Sequence, residues 1–471
     1  MIEFNRDAYK DLLLWKEKNN KLEFGNKKVL RLDGTRRVGK TTLAKKFAKE
    51  NYNEVTYINL LDNTEKKASV REFRRSFEIG ENTLQERVKK YNSKFEDNKD
   101  NILIIDEIQD DVNVFNSIRA FAQTMNCDVL VSGSYLGKTL NTNYWASAGN
   151  YISLNLDVIS FPEFLEIFNK RKVYNNLDVF GKSESKDYAE INKYFELYRL
   201  VGGYPEVILE YMDSKDITKL DSVLDNIFYL FCMESANYLE DIEDKFIFTK
   251  LIRAIVQILN NEKKGLSDRS FSGELQKITS KYTDTNLTKK EITNALNWLI
   301  MARAILPCGK AVNCNLNTIK DNSRFYINDL GLARYFYKKF NISDSDTLGM
   351  LNELFVAKVI HSKENSVNSD MLKYPCYGII DDNEIDFITR SRLDNKIYGI
   401  EVKTSNNATK SLDLMLNKGL FDYGMAVKGV ISGGESNIEN KYTIPIVMFP
   451  RFEFTLGGKS LLDLPSIDFN M

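Results

Sequence analysis

The chain has 471 residues, which is long enough for about three domains rather than a single core. Hydrophobic residues make up 43% of it and charged residues 28%, so the composition excludes a wholly disordered protein. The formal net charge of −1 neither indicates nor excludes nucleic-acid binding, because a neutral total can combine a basic face with an acidic one.

Short apolar runs alternate with charged, helix-like stretches over the first 165 residues. The runs are rich in Ile, Val and Leu and are bounded by turn or polar residues, which is typical of buried strands. They lie at 29–34, 55–62, 102–107, 129–134 and 151–156. This alternation predicts an α/β fold with a parallel sheet that helices cover on both faces, and we assign residues 1–185 to it.

A helical section is predicted next, over residues 186–265, with an interruption at Gly-Gly-Tyr-Pro. Residues 266–340 then predict a winged-helix-like module, in which two helices precede a hairpin. Thr288 and Glu291 have the spacing of a capping box at the start of the second helix. Such a module reads DNA or packs against its neighbours, and the sequence favours neither role.

The last predicted domain, residues 341–471, returns to mixed α and β structure. It is expected to contain a helix at 351–362 and strands at 384–390, 397–403, 426–431 and 443–449.

The cysteine and histidine content limits the metal and redox chemistry. Five cysteines are scattered without a CxxC pair, which is typical of reduced thiols in a cytoplasm. A single histidine, His361, argues against zinc sites built from His and Cys pairs. The N-terminal stretch lacks the pattern of a signal peptide, and no apolar run reaches the roughly 18 residues of a membrane-spanning helix. We therefore expect a soluble, cytoplasmic protein without membrane association.

A phosphate-binding loop is the most specific motif in the chain. Residues 34–41 match the P-loop pattern GxxxxGK[ST] at each fixed position, between a predicted strand and a predicted helix. Gly34 and Gly39 let successive backbone N–H groups curl around phosphates, and the helix N-terminus adds partial positive charge. Lys40 is predicted to bridge the β- and γ-phosphates, and the Thr41 hydroxyl to bind Mg²⁺. The other candidate contacts to ATP are Arg37, Val38 and Thr42.

An acidic pair at the end of the 102–107 run predicts the second half of this site. Asp106 is expected to help hold Mg²⁺, and Glu107 to act as the general base that polarises the attacking water. The alternative is a buried strand that ends in an acidic loop, and the upstream P-loop favours the catalytic interpretation. Ser132, at the end of the next strand, is a candidate sensor of the γ-phosphate, although a strand-end turn of small residues explains it equally well.

Several short segments, in the same order, resemble a prokaryotic AAA-type ATPase family that is similar to the STAND-like archaeal ATPases and carries a C-terminal nuclease-like domain. The resemblance covers nearly the whole chain. The matching segments are GTRRVGKTT (34–42), LIIDEIQ (103–109), VSGSYL (131–136), SFPEFLE (160–166), GGYPEVI (202–208), FYINDLGLARY (325–335), EIDFI (384–388) and IEVKTS (400–405).

The sequence departs from the family at one position. Members usually carry Gly-Arg before the strand that leads to the SFPEF segment, and here the dipeptide is Gly149-Asn150. If the family arginine acts on phosphate or across a subunit contact, its role is missing or displaced in this chain. Arg119 is a candidate substitute, although its helical neighbours indicate an ordinary surface residue first.

The C-terminal segments fit the D…(E/D)xK core of the PD-(D/E)XK nucleases. Asp386 lies in one predicted strand, while Glu401 and Lys403 alternate onto one face of the next. Glu353, on the preceding helix, fits the additional acidic ligand of these nucleases. Asp386 and Glu401 would then bind a second Mg²⁺, and Lys403 would orient or help to deprotonate water. The alternative is a solvated edge strand with paired charges, because ExK alone is common.

These patterns lead to one main hypothesis, an ATP-driven switch on a DNA-directed, nuclease-like domain. A rival is a non-cleaving module that ATP toggles and that binds nucleic acid or protein. A third is a nucleotide-binding scaffold with little turnover. The sequence leaves open DNA or RNA as the target, and a second copy of the chain or another protein as the partner.

Overall fold

The computed structural model describes residues 4–80, 82–134, 149–235, 247–263, 275, 288–365 and 373–458. In these ranges the chain is built around two sheets. Within the same ranges, no helix is both long and apolar enough to cross a bilayer.

The first sheet has five parallel strands in the order β2-β3-β4-β1-β5. The predicted parallel sheet is therefore confirmed, and each predicted run corresponds to one strand. The strands are β1 (Val29–Gly34), β2 (Glu54–Asn59), β3 (Asn101–Asp106), β4 (Asp128–Ser132) and β5 (Tyr151–Leu156).

Helices cover both faces of this sheet, as the continuous apolar strands require. In β3, Ile102 and Ile104 pack into one core, while Leu103 and Ile105 pack into another on the opposite face. This division follows from the alternation of side chains along a strand. The helices of this part are α1 (Ala8–Asn20), α2 (Lys40–Asn51), α3 (Lys67–Ile79), α4 (Leu84–Tyr91), α5 (Val112–Asn116) and α6 (Ile118–Thr124).

The residues of the predicted helical section form helices where the structure describes them. Two short helices precede it, and the first begins with a capping box between Ser160 and Glu163. Pro205 occupies the first turn of a later helix, where its missing N–H costs nothing. The helices are α7 (Phe161–Ile167), α8 (Arg171–Asn176), α9 (Ser185–Val201), α10 (Pro205–Ser214), α11 (Ile217–Ser235) and α12 (Ile247–Lys263).

The Gly-Gly-Tyr-Pro segment docks against the segment around residue 329. Gly202 has a φ of 78°, and an added Cβ would lie 2.3 Å from Asp329 Oδ1, so only glycine fits. The Gly203 N–H donates to Asp329 Oδ2 at 2.7 Å, while Asp329 Oδ1 accepts from Leu332 N at 2.9 Å. Two distant sequence signatures therefore meet at one carboxylate.

The second sheet has eight strands in the order β12-β13-β11-β10-β9-β8-β6-β7 and is mixed. Helix α13 (Lys289–Met301) precedes it, and the capping box between Thr288 and Glu291 is confirmed. The other elements are β6 (Ile305–Val312), β7 (Ile319–Ile327), α14 (Leu330–Lys339), α15 (Asp344–Glu364), β8 (Cys376–Ile380), β9 (Asn383–Arg390), β10 (Ile397–Lys403), α16 (Lys410–Asn417), β11 (Tyr423–Lys428), β12 (Gly434–Glu435) and β13 (Lys441–Pro445).

The hairpin predicted as a wing is part of this larger sheet. Strand β6 pairs with β7 and also pairs in parallel with β8, from Gly309 opposite Cys376 to Val312 opposite Ile379. The sheet therefore crosses the boundary that we predicted after residue 340. Of the first helix predicted for the winged module, near 272–282, the structure describes only Leu275, which is buried.

The strand predicted at 443–449 is wrong in its second half. Strand β13 ends at Pro445, and residues Ile446–Arg451 form a 3₁₀-helix. The residues 446–449 are all buried, and a short apolar run has the same sequence pattern in a buried helical turn as in a buried strand.

Candidate functional site

The P-loop lies between β1 and α2, at the carboxyl edge of the parallel sheet. An added Cβ on Gly34 would lie 2.1 Å from the Leu156 carbonyl oxygen, so only glycine fits at the position where the loop leaves the sheet. Gly39 has a φ of 94° and Arg37 a φ of 67°, both in the left-handed region. These conformations give the loop its curled path before the first turn of α2.

The amine of Lys40 lies folded over this loop and is only 7% exposed. It donates to the carbonyl oxygens of Gly34 and Thr35, each at 2.8 Å, and to Ser134 Oγ at 3.0 Å. Burial lowers the pKa of Lys40 to about 8, although the nearby charge of Glu107 partly opposes the shift.

Asp106 is the centre of a polar cluster at the end of β3. Its carboxylate accepts a hydrogen bond from Thr41 Oγ1 at 2.7 Å, one from Tyr57 OH at 2.8 Å, and one from Ser132 Oγ. The structure thus brings together Thr41, Asp106 and Ser132, three of the candidate site residues. Sequence reasoning missed Tyr57, on β2; its only signal was its place near the end of a neighbouring parallel strand.

Glu107 follows β3 in the left-handed conformation, with a φ of 54°. A non-glycine residue there is strained, and such strain persists where the surroundings hold the residue in place. Its Oε2 accepts from Gln109 Nε2 at 2.6 Å and lies 3.5 Å from Ser134 N. The carboxylate is therefore held beside Lys40 and Ser134, at the mouth of the loop.

The remaining P-loop candidates differ in their surroundings. Val38 is buried, whereas Thr42 is exposed at the start of α2. Arg37 is exposed and forms an ion pair with Glu206 of α10 at 3.2 Å. Arg37 thus links the loop to the helical section.

Arg119 was the suggested substitute for the family arginine, but other arginines contact the P-loop or the residue next to it. Arg119 is exposed on α6. Arg6 donates to the Val38 carbonyl at 2.9 Å, and Arg303 donates to Asp33, next to Gly34, at 3.1 Å. Sequence reasoning missed both, because neither belongs to a motif and both are distant in the chain.

The four C-terminal candidates lie in one neighbourhood. Glu401 and Lys403 share a face of β10, and Glu401 Oε1 lies 2.8 Å from Lys403 Nζ. Burial lowers the pKa of Lys403, but its hydrogen bond to Glu401 and the charges of Glu401, Asp386 and Glu353 outweigh burial and raise it. Glu353 itself is buried on α15.

Both Glu401 oxygens already have partners, since Oε2 accepts from Leu412 N at 3.0 Å. Asp386 Oδ2 accepts from Val402 N at 2.6 Å. In the part of the chain that the structure describes, no three His, Cys, Asp or Glu side chains are grouped to hold a metal ion. A second Mg²⁺ site on Asp386 and Glu401 stays a prediction.

Comparison with known proteins gives two family matches, each to part of the chain. Residues 26–165 match a family model described as an AAA domain. Residues 192–345 match a model described as a domain of unknown function, DUF8612. An uncharacterized protein of Haemophilus influenzae is 22% identical over 315 residues, which cover 66% of this chain and 68% of that protein.

Two solved structures illustrate the structural likenesses. One is the Aeropyrum pernix ORC1 protein in complex with DNA, with 14% identity, a TM-score of 0.27, and coverage of 72% of this chain and 93% of that chain. The other is the Thermotoga maritima RuvB Holliday junction branch migration motor, with 14% identity, a TM-score of 0.29, and coverage of 72% and 96%.

The match over residues 26–165 agrees with the strand order and the loop geometry of the first sheet. Together they support an AAA-type ATPase domain in this part of the chain.

Proposed function

We propose that this protein binds ATP with Mg²⁺ and hydrolyses the ATP, and that its nucleotide state acts as a switch on a nuclease-like C-terminal domain directed at DNA. The observation that carries the ATPase part is the 2.7 Å hydrogen bond between Thr41 Oγ1 and Asp106 Oδ2. It joins the P-loop to the acidic end of β3, so that both halves of the site form one unit.

The residues present fit a magnesium ion and a triphosphate. Thr41 and Asp106 offer adjacent hydroxyl and carboxylate oxygens, which are the ligands that Mg²⁺ prefers. When bound, the ion would neutralise charge on the β- and γ-phosphates. Lys40 would exchange its carbonyl partners for phosphate oxygens, since its amine already lies within the loop.

Glu107 would act as the general base. Its contact with Gln109 fixes one carboxylate oxygen, which leaves the other to accept a proton from the attacking water. Ser132 shares the Asp106 carboxylate and would sense the γ-phosphate through it.

Phosphate release by wild type and Glu107→Gln, at saturating Mg·ATP, tests the ATPase proposal. We expect turnover to fall at least about 100-fold in Glu107→Gln while ATP affinity is kept, because general-base catalysis contributes about 10²- to 10⁴-fold. Glu65→Gln, at an exposed position, is the matched control and should retain full turnover. Equal rates in wild type and Glu107→Gln would leave a nucleotide-binding scaffold with little turnover.

The nuclease-like part of the proposal is supported by the shared neighbourhood of Glu353, Asp386, Glu401 and Lys403. A carboxylate paired with a lysine beside further carboxylates suits metal-assisted attack on a phosphodiester. The engagement of both Glu401 oxygens favours the second candidate, a non-cleaving module that binds nucleic acid or protein.

Cleavage assays separate these two candidates. Wild type, Lys403→Ala and the control Lys418→Ala would be incubated with single- and double-stranded DNA and RNA, in Mg²⁺ or Mn²⁺ and with or without ATP. Lys418 forms an exposed ion pair with Asp381 in the same domain. The nuclease proposal expects cutting by wild type and Lys418→Ala only, whereas no cutting beyond Lys403→Ala on any substrate supports the non-cleaving module.

A further inference from the structure

One arm of a polar network reaches the start of the P-loop from the second sheet. Arg303 lies between α13 and β6 in the left-handed conformation, with a φ of 55°. It donates to Asp33 Oδ2 at 3.1 Å and to Asn155 Oδ1 at 2.8 Å. Asp33 Oδ1 in turn accepts from the Gly34 N–H at 2.7 Å. The first residue of the loop is thus held indirectly by an arginine some 270 positions away.

A second arm reaches the other end of the loop. Arg6, which precedes α1, donates to the Val38 carbonyl at 2.9 Å and to the Asp157 carbonyl at 2.5 Å. Glu163 accepts from Arg6 Nε at 3.1 Å and fixes the guanidinium. The Val38 peptide is therefore tied to the segment that follows β5.

Both arms meet at one lysine of the C-terminal domain. Lys358, on α15, donates to Asp157 Oδ2 at 2.9 Å, which joins the second arm. It also donates to the Asn328 carbonyl at 2.8 Å and to Asn328 Oδ1 at 3.0 Å. Asn328 Nδ2 donates to the Arg303 carbonyl at 3.0 Å and so joins the first arm. The two arms and Lys358 therefore form one continuous hydrogen-bond network, called the circuit below, that connects both ends of the P-loop to α15.

The position of this circuit suits the transmission of a conformational change between domains, and not packing alone. Arg6, Asp157 and Lys358 line a cleft of about 770 Å³ between the ATPase domain and the C-terminal domain. Helix α15 carries Glu353 little more than one turn before Lys358, and Lys358 is only 12% exposed. A movement of either end of the loop would therefore be passed by charged hydrogen bonds to the helix that carries a nuclease-like residue.

We propose that Arg6 and Arg303 are positioning residues for the P-loop, and that Lys358 couples the conformation of the loop to α15. This inference rests on the proposed ATP binding and specifies how the switch acts. Coupling free energies are reciprocal. If nucleotide binding changes the conformation of α15 through Lys358, the loss of Lys358 must in turn change the affinity for nucleotide.

Hydrogen exchange on the full chain, with and without Mg·ATPγS, tests the proposal. The variants are Lys358→Met and the control Lys363→Met, and Lys363 pairs with Glu453 at 2.9 Å on the same helix and cleft. In wild type and Lys363→Met, we expect Mg·ATPγS to change amide protection over residues 351–360. In Lys358→Met this change should be lost, and Mg·ATPγS should bind about fivefold more weakly or worse, at the lower end of typical allosteric couplings.

The outcomes separate this inference from the ATPase proposal. Wild type that binds Mg·ATPγS without a change in α15 overturns the coupling alone, and so does a Lys358→Met variant that keeps the response. Wild type that fails to bind Mg·ATPγS overturns the proposed function and the coupling with it. If Lys358→Met loses its helical circular dichroism, Arg303→Gln replaces it with the same expected losses, and a retained response in Arg303→Gln overturns the coupling.

Discussion

Raising the pH should weaken ATP binding, because the Lys40 amine must be charged to pair with phosphate. Burial lowers the pKa of Lys40 to about 8, so the free protein loses this proton as the pH rises through that value. With a pKa of 8, the charged fraction is about 76% at pH 7.5 and about 3% at pH 9.5. If phosphates keep the bound amine charged, the Kd for ATP should rise about 25-fold between these two pH values. This rise corresponds to a loss of ~1.9 kcal/mol in binding free energy.

The assay is isothermal titration of ATP in EDTA at pH 7.5 and 9.5, so that metal binding does not contribute. The second phosphate pKa is about 6, so the nucleotide itself does not titrate in this interval. Lys40→Arg is the control, since a guanidinium stays charged throughout and its Kd should stay constant. A wild-type Kd that changes less than threefold would refute the reasoning from burial.

Three further substitutions test the loop. Thr41→Val should abolish the gain in ATP affinity from Mg²⁺ while leaving metal-free binding within a fewfold of wild type, and titrations with and without Mg²⁺ measure this. Ser132→Ala should lower turnover at least tenfold with little change in Kd, and parallel losses of turnover and affinity would argue for a merely structural hydroxyl. Gly34→Ala should lower the free energy of unfolding by about 3 kcal/mol or more, because its Cβ would lie 2.1 Å from the Leu156 carbonyl oxygen. A Gly34→Ala variant with a wild-type urea midpoint would contradict this geometry.

Local sequence signals were sufficient for the first sheet. Strands β1 and β5 of this sheet have the predicted bounds, as does β10 of the second sheet, because apolar runs and their flanking polar residues are properties of neighbouring positions. The capping box of Thr288 and Glu291 was predictable for the same reason, because its two residues are close in sequence. The pairing of β6 with β8 was not predictable in this way, because the partner of a strand depends on contacts between segments far apart in the chain.

The same distinction applies to the nucleotide site. Lys40, Thr41 and Asp106 belong to motifs whose spacing reflects one strand-loop-helix unit and its neighbouring strand, and the structure brings them together. Tyr57 and Arg303 reach the same site from other elements, where a tyrosine or an arginine has no distinguishing neighbours. Only the folded chain reveals such residues.

The continuity of the second sheet bears on how the protein can be divided for study. A fragment that begins at residue 341 would keep β8 but lose β6, and the backbone groups of β8 that face β6 would become an open edge. Such edges favour self-association, so that fragment should aggregate when expressed alone. A soluble C-terminal fragment should start ahead of Ile305, so that it includes the β6–β7 hairpin and β6 pairs with the edge of β8.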